Sequence, residues 1–263
     1  MSRIQKCFAS MNGNKALVAF YTAGDPDLSA SKDIFAVIEK NGADIIEIGV
    51  PFSDPLADGP TIQASSHRSL QKGTSLKKII ALVADIRKTS ELPIILMTSF
   101  NPVFVYGQKE FVADAHKAGV DGVIIPDLPP EEAEEFLKLA GPQGLDMIFL
   151  LAPTSTPDRV KQVGDISKGF IYYVSLTGTT GTKVSLASGL EEKVRGIKNS
   201  VSLPVLVGFG ISGPEQAREA AQYADGVIIG SAIVKLIETH SDPVERDQKV
   251  GEFLAGIRKA INP

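Results

Sequence analysis

The stretch Asp44-Ile45-Ile46-Glu47-Ile48-Gly49-Val50-Pro51-Phe52-Ser53-Asp54-Pro55-Leu56-Ala57-Asp58-Gly59-Pro60 begins with a β-branched apolar run of strand length and ends in residues that continue neither strand nor helix. Side chains alternate along a strand, so Glu47 shares a face with Ile45 and Gly49, while Ile46, Ile48 and Val50 share the other. A strand apolar on both faces belongs in a buried parallel sheet, which places the Glu47 carboxylate in apolar surroundings. Burial disfavours its charged form and raises its pKa into the range useful for an acid or base near neutrality. The plainer alternative is a Glu paired with a distant Lys or Arg. Two further carboxylates, Asp54 and Asp58, stand just past the strand end and favour the chemical reading, because carboxylates in unlike environments let one site hold an acid and an ion.

Outward from this segment the chain alternates between strand and helix patterns. Strands are predicted at Leu17 to Tyr21, Asp44 to Val50, Pro93 to Thr98, Gly122 to Ile125, Met147 to Leu151, Phe170 to Ser175, Pro204 to Val207 and Gly226 to Ile229. Helical spacing is predicted between them, including about 62–72 and 76–88 after the second strand, 109–118, 130–139, 157–163, 190–198 and 214–222. A further helix over 4–11 precedes the first strand, with Cys7 on its apolar side as a small buried residue. Prolines at helix starts and a capping box Ser212-x-x-Glu215 support these boundaries. Eight strands, each followed by a helix, predict an α/β fold: a single (β/α)8 TIM barrel over 1–263, with an extra N-terminal helix and an additional helix after strand 2. An open doubly wound sheet is the alternative. Gly208-x-Gly210-x-x-Gly213 matches a dinucleotide fingerprint, but it follows the seventh strand and not the first, which makes it weak support.

Composition narrows the function classes. Hydrophobic residues make up 43%, charged residues 22%, and the net charge is −4 without a basic cluster, which argues against nucleic acid or an anionic membrane as partner. Cys7 is the one cysteine, so neither an internal disulfide nor a cysteine metal cluster is available. No apolar run reaches the roughly 18 residues of a membrane span, and 1–6 lacks a signal-like apolar core, so a cytoplasmic protein is expected. No lysine lies in the predicted strand cores, against a Schiff-base aldolase. His67, His116 and His240 fall in or after helices, against a zinc site. Metal-free acid/base catalysis by carboxylates is left, with a tyrosine as a possible aid.

Barrels often bind phosphate with the loops after strands seven and eight and a helix N-terminus. Here those loops are Gly208-Phe209-Gly210-Ile211-Ser212 and Gly230-Ser231, with Gly178-Thr179-Thr180-Gly181 after strand six. A phosphorylated small molecule fits three neighbouring loops that agree on one place; the plainer alternative is ordinary turn glycines. Tyr172 and Tyr173 are consecutive, so one points into the barrel and the other toward the helices. Asp127, at the end of strand four, either caps a helix, braces the mouth or touches substrate. Phe20, Met97, Phe149 and Leu151 near strand ends offer an apolar wall for a flat aromatic group, or are plain core.

The chain closely resembles the α subunits of tryptophan synthase along essentially its whole length. The resemblance is carried by Phe20 to Pro26, Glu47 to Pro60, Asn101 to Phe104, Pro126 to Pro129, Leu151 to Thr154, Thr177 to Gly181 and Gly208 to Ser212. It implies cleavage of indole-3-glycerol phosphate to indole and glyceraldehyde 3-phosphate. By position it implies Glu47 as general acid/base, Asp58 as the carboxylate on the indole N–H, and Tyr172 as the inward active-site tyrosine. Gly181, Gly210, Gly230 and Ser231 correspond to phosphate contacts, and Phe20, Met97 and Asp127 are candidates for the indole pocket. It further implies an α2β2 complex whose β subunit carries pyridoxal phosphate, no cofactor in this chain, a partner face near Asp54, Pro55 and 101–104, and a closing loop over about 179–189. Leu176 stands where better-known bacterial members carry an arginine. The competing readings are a stand-alone lyase that releases free indole, another phosphate-binding barrel isomerase, and a non-catalytic subunit that activates a partner.

Overall fold

The structure, a computed structural model, describes residues 1–55, 57–175, 189–208 and 210–263. The first half of the chain runs α1 (Arg3–Ser10), β1 (Ala16–Thr22), α2 (Leu28–Lys40), β2 (Ile45–Gly49), α3 (Pro60–Gln71), α4 (Leu76–Ile86), β3 (Ile94–Met97), α5 (Phe100–Tyr106), α6 (Gln108–Ala118) and β4 (Gly122–Ile124). The second half runs α7 (Glu134–Gln143), β5 (Asp146–Ile148), β6 (Leu150–Leu151), α8 (Pro157–Ile166), β7 (Ile171–Val174), α9 (Leu190–Ser200), β8 (Val205–Gly208), α10 (Pro214–Tyr223), β9 (Gly226–Ile229), α11 (Ser231–Thr239) and α12 (Pro243–Ile261).

Every strand pairing is parallel, in the order β5-β4-β3-β2-β1-β9-β8-β7-β6. The two ends of that order, β5 and β6, are separated in the chain by Phe149 alone, so the sheet wraps round on itself. The predicted fifth strand, 147–151, is thus one strand divided at Phe149, whose carbonyl accepts the Tyr172 amide at 3.2 Å across the closing seam. Counted this way, the barrel has the eight predicted staves.

Alternation along the strands sorts the core into two shells. Ala16, Val18, Ile45, Ile95, Ile124, Ile148, Tyr172, Leu206 and Ile228 fill the interior. Leu17, Ala19, Tyr21, Ile46, Ile48, Leu96, Tyr173 and Val207 pack outward against the helices. Each fully buried Ile or Leu contributes about 1.5–3 kcal/mol, so this double burial is what makes the register single-valued.

The floor of the barrel is closed by α1. Ile4 is fully buried in the interior cluster, and the helix starts with a formed capping box, Ser2 Oγ receiving the Gln5 amide at 3.2 Å and Gln5 Oε1 the Ser2 amide at 3.0 Å. Cys7 is half-buried and packs against the edge of the interior cluster, its thiol turned toward the Asp44 carbonyl at 3.5 Å.

Two further local expectations change, and one segment forms a helix that was not predicted. The capping box at Ser212 is not made: α10 has Gly213 as its N-cap with no side-chain cap bond, which leaves Ser212 one position too early. The helix expected from Pro130 begins at Glu134, because 129–133 close turn bonds, Glu132 amide to Pro129 carbonyl at 3.0 Å and Ala133 to Pro130 at 3.4 Å. The segment around Asn101 forms a short helix, α5, with Pro102 in its first turn, where a missing N–H costs nothing.

Candidate active site

Glu47 sits in the middle of β2, level with Phe20 on β1 and Ile95 on β3, and points into the barrel. It is 1% exposed, and its Oε2 has no hydrogen-bond partner among the described residues. With no cation beside it among the described residues, burial pushes its pKa up to about 8, and the negative charge of Asp58 adds to the rise. The sequence expectation for this residue is met in position, face and burial.

Asp58 reaches the same region from the loop above the strand. That loop is held by the Asp58 amide on the Pro55 carbonyl at 3.0 Å and by Gln63 Nε2 on the Asp58 carbonyl at 2.8 Å, and Pro60 then starts α3. Burial raises the Asp58 carboxyl to about 6. Tyr172 is buried on the inward face of β7, while Tyr173 lies in the outer shell. Burial first, then the charges of Glu47 and Asp58, hold the Tyr172 phenol well above its ordinary pKa, so it keeps its proton.

A cavity of about 270 Å³ opens at the C-terminal ends of the strands, with Phe20, Met97, Ile62, Ser66, Asp58 and Asp127 in its wall. The apolar side fits a flat aromatic group and the carboxylate a polar N–H. Two glycines make room for it. A Cβ on Gly49 would come within 2.5 Å of the Phe20 ring, and one on Gly208 within 2.6 Å of the Tyr172 hydroxyl. Both aromatic side chains therefore lie across glycine backbone.

Asp127 lines the cavity, but its Oδ1 also receives the Phe100 amide at 2.8 Å, so it braces the first turn of α5. Asp54 is exposed at the rim. On the opposite side Gly230 is the N-cap of α11, with Ser231 as its first, exposed residue, and Gly210 adopts φ 77°. A Cβ on Gly230 would stand 3.4 Å from Phe20, so the phosphate-type loop abuts the apolar wall. Gly181, with Thr177 to Thr180, Leu176 and the expected closing loop up to 188, lies outside the described residues.

Sequence reasoning missed Ile62, Ser66, Thr22 and Thr98 as lining residues. The spacing of Ile62 and Ser66, four apart at the start of α3, is the signal that would have put them on one face. His67 and His116 are exposed and His240 half-buried on the surface, and no group of three His, Cys, Asp or Glu suited to a metal occurs among the described residues. A larger cavity, about 1270 Å³, surrounds α1 at the opposite end of the barrel. Its ionic groups largely answer one another, Arg3 with Glu91 and Asp121 and Arg258 with Asp44, which makes it a structural floor.

Residues 8–262 match the family model described as tryptophan synthase alpha chain. A tryptophan synthase alpha chain of Geotalea uraniireducens (strain Rf4) is 53% identical over 263 residues, covering 99% of this chain and 98% of the relative. One from Geobacter sulfurreducens is 50% identical, with 99% of each chain covered. Among solved structures, tryptophan synthase subunit alpha from Legionella pneumophila str. Paris superposes with a TM-score of 0.88 at 37% identity, covering 99% of this chain and 98% of that one. Mycobacterium tuberculosis tryptophan synthase gives 0.90 at 36% identity, with 100% and 99% covered.

Proposed function

The chain belongs to the tryptophan synthase alpha chain family, and from that premise we propose how its residues divide the work of the lyase reaction. The reaction is the retro-aldol cleavage of indole-3-glycerol phosphate to indole and D-glyceraldehyde 3-phosphate in tryptophan biosynthesis. Glu47, Asp58 and Tyr172 are assigned to the reacting end. Gly210, Gly230 and Ser231, with Gly181, are assigned to the phosphate.

The observation that carries this reading is the Glu47 carboxyl, buried at the centre of the barrel with one oxygen unpartnered among the described residues and its pKa pushed up to about 8. At neutral pH it is largely protonated and can give its proton to indole C3. The ring nitrogen then becomes an iminium, and Glu47 becomes a carboxylate. That carboxylate takes the proton from the side-chain hydroxyl next to C3. The C–C bond electrons return to the ring, the aldehyde leaves, and Glu47 regains its proton, so the step balances without any co-reactant.

Asp58, ionised above about 6, faces the positive charge that grows at the ring nitrogen and stabilises it most in the transition state. Phe20 and Met97 supply the slot for the ring. Asp127 shapes that slot through α5 and its brace on Phe100. The protonated Tyr172 donates a hydrogen bond at the reacting end. The α11 N-terminus and the adjacent glycine amides offer donors and partial positive charge to the phosphate.

This chemistry needs neither metal nor cofactor in this chain. A β subunit with pyridoxal phosphate would take up the indole, in an α2β2 assembly in the cytoplasm. The exposed Phe104 and Val105 on α5, beside the mouth, suit a partner surface. The test is indole release from indole-3-glycerol phosphate with and without a tryptophan synthase β subunit. Slow release that rises sharply with the partner is expected. Rapid release indifferent to it would mark a stand-alone lyase, and none in either case would refute the assignment.

A further inference from the structure

Helix α3, which follows the Asp58 loop, packs its inner face through polar groups: its buried residues are Ser65, Ser66 and Ser69. Three contacts tie it to the end of β1. Ser65 Oγ meets Thr22 Oγ1 at 2.6 Å, Ser69 Oγ donates to the Ala23 carbonyl at 2.6 Å, and Arg68 donates to both Asp25 oxygens, from Nε at 2.9 Å and Nη2 at 2.7 Å. Asp25 is 3% exposed. A two-pronged bond of this kind fixes the plane of the guanidinium, not just its charge. The remaining arm, Nη1, donates to Glu238 Oε1 on α11 at 2.8 Å, and Lys235 holds the other Glu238 oxygen at 2.6 Å.

Arg68 therefore joins two elements far apart in sequence that carry opposite ends of the site. The start of α3 supplies Ile62 and Ser66 to the cavity beside Asp58, while the start of α11 is Gly230-Ser231. Glu238 lies two turns along α11 from Ser231, about 10 Å of rigid helix, so a shift at one is passed to the other.

We propose that Arg68, through Asp25 and Glu238, is a positioning residue that sets the distance between the indole end and the phosphate end of the site. This rests on the assignment of those ends above. Its consequence is selective: a ligand spanning both ends feels the spacing, whereas a ligand filling one end does not.

The test is calorimetric binding of 3-(indol-3-yl)propyl phosphate, indole and glycerol 3-phosphate to the full chain, wild type and variants. Glu238→Gln removes the charge from the α11 arm, and from its Lys235 pair, while leaving an acceptor for Nη1 and the Asp25 fork untouched; it lies at the partly exposed edge of the network, so it keeps the question open if Arg68→Gln does not fold. The two-ended ligand should weaken by about two- to fivefold in Glu238→Gln and roughly tenfold or more in Arg68→Gln. Arg68→Lys should remain weakened, since an ammonium cannot hold Asp25 with two prongs. Indole and glycerol 3-phosphate should bind as to wild type. Equal losses for all three ligands would make Arg68 an ordinary stability residue, and no loss for the two-ended ligand in a folded variant would overturn the proposal. A wild-type chain that binds the two-ended ligand no better than its halves would instead refute the underlying site.

Discussion

At the floor of the barrel, Asp121 gives one carboxylate oxygen to Arg3 at 3.2 Å and the other to Arg87 and to the Ile94 amide at 2.8 Å. In the barrel interior, Glu47 is as deeply buried, has no partner for Oε2 among the described residues, and has another carboxyl, Asp58, as its charged neighbour. Burial raises the pKa in both places. At the floor, cations and an amide oppose the rise, whereas around Glu47 no cation or amide among the described residues opposes it and Asp58 reinforces it. The same side-chain chemistry thus holds α1, the end of α4 and the start of β3 together at one end and, on the proposed assignment, stores a transferable proton at the other. What separates structure from function is the partner supplied, not the burial.

Removing the proton carrier gives the largest effect. Glu47→Gln should cut indole release by about 10³-fold or more and leave the fold intact. It should also change the pH dependence of stability. The folded chain keeps the Glu47 proton up to about 8, whereas an ordinary glutamate releases it near 4.5. Over that interval the folded state binds one proton more, so wild-type stability falls as pH rises. The Gln variant escapes this loss, and thermal unfolding should find it the more stable form at pH 8 and little different at pH 4. A variant less stable at both would place Glu47 with the structural carboxylates.

The floor should respond the opposite way. Arg87→Met strands Asp121 with less than its full set of partners and should cost about 3–5 kcal/mol in denaturant unfolding, with turnover per folded molecule unchanged. Lost turnover in a folded protein would erase the contrast between the two ends.

Asp58→Asn should lower turnover about 10²-fold by removing a charge aimed at the ring nitrogen. The acid limb of the kcat/KM profile near pH 6 should vanish with it. The alkaline limb should move down from about 8, because Glu47 loses a neighbour that disfavours its ionised form. Two unchanged limbs would detach Asp58 from the proton transfer.

The smallest pair compares caps. Ser2→Ala, at the floor, should cost about 1 kcal/mol, while Ser212→Ala, at the mouth, should stay within about 0.5 kcal/mol. Equal costs in unfolding experiments would mean that Ser212 does support α10.

The barrel was legible because eight apolar strand patterns alternate with helical ones, and Glu47 because it is the one charged residue in the interior of an apolar strand. Asp58 followed from its place just beyond that strand. Other features depend on contacts that no local pattern encodes. Phe149 divides a strand only because the seam between β5 and β6 falls there. Gly49 reads as an ordinary strand position and Gly208 as a loop glycine in sequence, yet they matter for the rings of Phe20 and Tyr172 laid across them. The floor joins residues 3, 87 and 121, which share no spacing. Ser212 met a capping pattern that the chain does not use, since its helix starts one residue later than the pattern requires.

The most direct test is a titration of the Glu47 carboxyl by ¹³C NMR in glutamate-labelled protein, with Glu47→Gln to assign the signal, run beside the pH profile of indole release. The account predicts a midpoint near 8 that coincides with the alkaline limb of kcat/KM. A Glu47 signal already ionised at pH 6, with activity intact, would contradict it.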